Sequence, residues 1–61
     1  MLASKENIEK LCKKLNCTFK KERYVDEEKN IYRYFLINHN NNEEHRFKTL
    51  IEIFYYLLSL V

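Results

Sequence analysis

Sixty-one residues make a single small domain, near the lower limit at which a core holds without disulfides or metal. An apolar share of 46% with five Tyr and four Phe predicts a folded chain rather than a disordered one. With no Gly and no Pro, phosphate-cradling glycine loops are excluded, and left-handed turn positions are expected to fall to Asn or Asp. The formal charge of +2 is uneven: residues 1–23 hold seven Lys or Arg against three Glu, and residues 24–61 hold four against six acidic side chains.

Ser4 can cap a first helix, with Glu6 and Glu9 early in it, where the helix dipole favours negative charge. Ile8, Leu11, Cys12 and Leu15 recur at helical spacing, and Asn16 is a left-handed stop, so a helix over 5–15 is expected. Lys5, Lys10, Lys13 and Lys14 lie off the apolar stripe.

Cys17 to Val25 and Ile31 to Asn38 read as two strands joined by the polar turn at 26–30. An uninterrupted register sets Val25 opposite Ile31 and Phe19 opposite Ile37. It places Cys17, Phe19, Val25, Ile31, Phe35 and Ile37 on the buried face. Lys21, Arg23 and Arg33 fall on the margin of that face, stems over apolar surface and heads in water. The other face would carry Tyr24 opposite Tyr32, then Tyr34 and Leu36, with Lys20 beside Leu36.

After the turn at 39–42 two readings remain. One is a single helix over 43–61. The other, favoured by the alternation of His45 and Phe47 with Glu44, Arg46 and Lys48, is a third strand at 44–48 followed by a helix capped by Thr49 and Glu52. The expected fold is therefore α+β, ordered α-β-β-β-α, an antiparallel sheet covered on one face by two helices. The alternative is α-β-β-α with a long last helix. Leu50, Ile53, Phe54, Leu57, Leu58 and Val61 form the expected core stripe of that helix. Tyr55, Tyr56 and Leu60 are expected on its other side, with Ile51 at the margin.

Cys12-x4-Cys17 and His39-x5-His45 loosely resemble a zinc ligand set, but the intervening stretch is long and Cys12 is needed in the apolar stripe. Buried free thiols and ordinary histidines are expected, with no metal and no cofactor. Neither cysteine is placed to act as an activated nucleophile, and Glu27, Glu28, Glu43 and Glu44 read as solvated loop residues, so no catalytic activity is expected. No apolar stretch of the secretory type follows Met1, and the C-terminal apolar run is too short for a bilayer. A cytoplasmic chain without membrane contact is expected.

Aromatic and basic residues interleaved on an open sheet suit a protein interface, which is enriched in Tyr and Arg. A protein-binding surface is thus expected at Tyr24, Tyr32, Tyr34, Leu36 and Arg46, and at Tyr55, Tyr56 and Leu60 on the last helix. The partner would be a second copy, giving a homodimer, or a host protein. Size, lack of a site and excess apolar helix fit small phage or mobile-element proteins that inhibit a host factor by occlusion. The alternative is nucleic acid, held by Lys10, Lys13, Lys14, Lys20 and Lys21 with the tyrosine face as a stacking platform. The element order resembles that of double-stranded-RNA-binding domains in topology alone. Those domains carry a basic, glycine-containing segment where this chain has Lys48-Thr49-Leu50-Ile51-Glu52, and no binding residues carry over.

Overall fold

The computed structural model describes residues 3–61. Helix α1 spans Lys5–Lys14 and starts where Ser4, in extended backbone, accepts the Asn7 amide on its hydroxyl at 3.2 Å. Lys13 and Lys14 lie in its last turn, next to the negative end of the dipole. Leu15 closes the helix, and Asn16 turns the chain out at φ 58°, the left-handed stop that its side chain tolerates. Ile8 and Cys12 are buried, with Leu11 and Leu15 partly so.

Three antiparallel strands follow, β1 at Cys17–Val25, β2 at Ile31–Asn38 and β3 at Glu43–Phe47, side by side in the order β1-β2-β3. The third strand forms one residue earlier than expected, and the single long helix over 43–61 does not form. Between β1 and β2, Asp26 organises the turn. One of its carboxylate oxygens accepts the amides of Glu28 and Asn30, and the other accepts the Asn30 side-chain amide. These donors hold the Asp26 carboxyl below the usual carboxylate range, the Asn30 backbone amide contributing most.

Val25 pairs with Ile31 and Tyr24 with Tyr32, as expected, but the register shifts between Lys21 and Tyr24. Three steps along β1 there match two along β2, so Lys21 meets Tyr34 and Phe19 meets Leu36 rather than Ile37. This bulge inserts one extra residue on β1, and a one-residue slip exchanges the faces of every side chain beyond it. The expected faces of Tyr34 to Ile37 are therefore inverted. Leu36 has no exposed surface and belongs to the core under the helices, with Tyr34 packed against it. Phe35 lies on the open face instead, under the side chains of Lys20 and Arg46. Lys20 stands opposite Phe35, not beside Leu36.

Helix α2, Leu50–Ser59, starts from a reciprocal cap: the Thr49 hydroxyl accepts the Glu52 amide at 3.3 Å, and the Glu52 carboxylate accepts the Lys48 amide at 3.1 Å. Ile53 and Leu57 close the core with Ile8, Cys12 and Leu36, which puts both helices on one face of the sheet. The expected core stripe is rotated. Tyr56, three residues after Ile53, shares its face, whereas Leu58 and Val61 are exposed. Val25 and Ile31, expected to be buried, are nearly half exposed as well. Ten-residue helices reach about 15 Å and the nine-residue β1 about 30 Å, so the helices leave the hairpin end of the sheet uncovered.

Candidate interaction surfaces

Three surfaces carry the expected site residues, and their chemistry differs. The first is the open face of the sheet. Arg46 donates to the Glu22 carboxylate at 3.1 Å, and the Lys20 ammonium lies 3.3 Å from the same group. The Arg46 guanidinium lies 4.1 Å from the Tyr24 ring centre and 4.9 Å from that of Phe35. Lys48 lies 5.6 Å from the Tyr32 ring centre and donates to the Asn30 side-chain oxygen. Arg46 first, then Lys20, hold the Glu22 carboxyl below its usual range. Every cation here thus has an anion, an amide oxygen or an aromatic ring as its partner. The rings that would stack a base are already engaged by cations of the same chain.

The second surface is the outward side of α2. Ile51, Tyr55 and Leu58 follow one another at helical spacing and are 56%, 67% and 44% exposed; Leu60 and Val61 extend the surface at 38% and 82%. Tyr55 and Leu60 are where the sequence placed them. Tyr56 is not: its ring lies 4.7 Å from that of His45 and 5.6 Å from that of Phe47, and its hydroxyl accepts the Asn38 amide at 3.3 Å. That bond matters because Asn38 is buried. The remaining capacity of Asn38 goes to Asn40, whose amide group also reaches the Leu15 carbonyl at the end of α1. Tyr56 therefore joins the turn, the sheet and the helices and does not lie on the outward side of α2. The bulge turns Leu36 and Tyr34, expected on the open face, towards the core, as described above. Ile51, expected at the margin of the outward side of α2, is fully on it, and Leu58 and Val61, expected in the core, are exposed there as well. Their signal lay in the phase of the helix, which only the position of Ile53 and Leu57 against Leu36 fixes.

The third surface is a recess of about 440 Å³ at the uncovered hairpin end, lined by Lys21, Arg23, Ile31 and Arg33. The lysines of α1, Lys10, Lys13 and Lys14, are exposed along the helix and line no part of it.

The four residues considered as metal ligands do not converge. Cys12 lies in the core, and burial foremost, then Cys17 and Glu9, pushes its thiol up to about 11. Burial also raises the Cys17 thiol, which donates to the Leu15 carbonyl. His39 shares a hydrogen bond of 2.6 Å with the Thr18 hydroxyl, and His45 pairs with Glu43 at 3.0 Å. Among the described residues, no three His, Cys, Asp or Glu side chains gather as a metal-binding group, and no helix is long and apolar enough to cross a membrane. Comparison of the chain with known families, with curated proteins and with solved structures returns no match.

Proposed function

We propose that this chain is a non-enzymatic protein-binding module acting in the cytoplasm, and that it self-associates through the outward side of α2. The observation that carries this reading is the run Ile51, Tyr55 and Leu58 exposed along a helix whose opposite side already supplies the core, with Val61 exposed just beyond its end. Contiguous apolar side chains on a small domain mark an interaction surface, because leaving them in water costs free energy that contact with a partner recovers. A symmetric pair suits such a patch: one helix face meets its own copy about a two-fold axis, and Tyr55 brings the large ring that dominates interface energetics. Occlusion of a host protein, as small phage or mobile-element proteins achieve, would use the same surface.

Light scattering coupled to size-exclusion chromatography tests the reading. The wild type is expected at the mass of two chains, and Tyr55→Glu with Leu58→Glu at the mass of one, with a helix and strand spectrum unchanged. Both positions are exposed, so the double substitution leaves the core intact. A wild type that runs as one chain at high micromolar concentration would remove self-association. The patch would then belong to a foreign protein.

A further inference from the structure

The cations on the strands and at the end of β3 fall into two sorts. Lys20, Arg46 and Lys48 are engaged on the open face of the sheet, each with a partner within the chain. Lys21, Arg23 and Arg33 converge on the recess at the hairpin end. No ion pair, hydrogen bond or ring contact engages their side chains among the described residues, and no carboxylate lines the recess with them. Its remaining lining residue, Ile31, is apolar and nearly half exposed, and its strand partner Val25 is equally so. The bulge in β1 creates this arrangement. Arg33 stands between Tyr34 and Tyr32, the partners of Lys21 and Tyr24, and so lies across from the bulge that carries Arg23, where no helix residue joins the lining.

We infer that this recess binds an acidic peptide segment of a protein partner, with carboxylates on the two guanidiniums and the ammonium and an apolar side chain on Ile31. Arg presents a planar fork that matches a carboxylate with two parallel hydrogen bonds. A volume of about 440 Å³ accepts one or two side chains rather than a long strand. Nucleic acid fits less well. The recess is lined by no aromatic ring, and Tyr24 and Tyr32 stack instead against Arg46 and Lys48. The inference is independent of self-association, since the lining comes from strands alone and α2 takes no part in it.

The test is a nuclear magnetic resonance titration of the labelled full chain with a blocked hexapeptide of alternating Glu and Leu. Inorganic phosphate and a single-stranded oligothymidylate of equal charge serve as comparison probes. Saturable shifts are expected at the Arg23 and Arg33 side-chain NH groups and at the Ile31 amide, weakening as salt is added. Arg23→Gln with Arg33→Gln should raise the peptide Kd roughly tenfold or more, the loss typical of charge-assisted hydrogen bonds. Lys14→Gln, at the end of α1 next to the start of β1 and so at the other end of the sheet, should leave it unchanged. Three results overturn the inference: no saturable shift, shifts centred on other residues, or equal binding by the double variant. Tighter binding of oligothymidylate would assign the recess to nucleic acid instead, and equal binding of phosphate would reduce it to a plain anion site. Dispersed amide signals in the double variant show that it remains folded, so a loss of binding is read as loss of the contacts.

Discussion

Lys29 stands in the left-handed region at φ 66°, where Asn16 and Asn42 hold the two other such positions among the described residues. The absence of Gly from the chain forces these conformations onto residues with a Cβ. Asn tolerates them through its short polar side chain; Lys has no such compensation and carries a cost of about 1–2 kcal/mol. The turn holds Lys29 there because its amide donates to the Asp26 carbonyl at 3.0 Å while the Asp26 carboxylate collects Glu28 and Asn30. Lys29→Gly should therefore stabilise the protein by about 0.5–1 kcal/mol, the relief of strain less the greater freedom of Gly in the unfolded chain. The urea midpoint should rise with an unchanged slope. A midpoint that stays or falls would mean that the aliphatic stem of Lys29 contributes packing that offsets the strain. The contrast with the expectation that only Asn or Asp would fill such positions is instructive. A carboxylate with two amide donors within reach can hold a turn whatever residue occupies its left-handed position.

At the scale of elements, the two helices were legible because their signals are local. Ser4 and Asn16 bracket α1, and Thr49 with Glu52 marks the start of α2 within four residues. Thr49→Ala should cost about 1 kcal/mol, since the Glu52 amide loses its acceptor and the reciprocal cap is broken. Equilibrium urea unfolding measures this, and a change near zero would show that water replaces the hydroxyl at this exposed end. That same cap settles the strand at Glu43–Phe47, because a helix starting at Thr49 leaves the alternation before it free to pair with β2. The faces of the sheet were legible only in part. Val25 opposite Ile31 and Tyr24 opposite Tyr32 follow from the turn, which is local. The bulge at Glu22 and Arg23 is not signalled by a Gly, and the continuous apolar run from Tyr34 to Ile37 on β2 permits either face. The buried position of Leu36 is decided by what it meets, Ile8, Cys12, Ile53 and Leu57, all distant in sequence. The phase of α2 has the same origin. Nearly every residue of Leu50–Ser59 is apolar, so the sequence admits several stripes, and the contact of Ile53 and Leu57 with Leu36 chooses one. What escaped the sequence at the candidate surfaces, the inward turn of Tyr56 and the outward turn of Leu58, follows from that single choice.

The described residues form two layers, one three-stranded sheet and two short helices, with Ile8, Leu36, Ile53 and Leu57 as their largest fully buried side chains. A core of this size contributes only a few kcal/mol beyond the conformational entropy it must offset. If the α2 surfaces of two copies meet, dimerisation and folding are linked, and stability depends on concentration. For two chains that fold as one unit, a tenfold rise in concentration adds about 1.4 kcal/mol per dimer, or about 0.7 kcal/mol per chain. In a domain of this length that corresponds to a rise in Tm of roughly 3–5 °C per tenfold. The Tyr55→Glu, Leu58→Glu variant should show a lower Tm with no dependence on concentration, because it keeps the core and loses the contact. Thermal unfolding followed by circular dichroism across two decades of concentration separates the cases. A wild-type Tm that does not move with concentration, equal to that of the variant, would mean that the core of one chain is sufficient and that Ile51, Tyr55, Leu58 and Val61 stay in water until a different protein covers them.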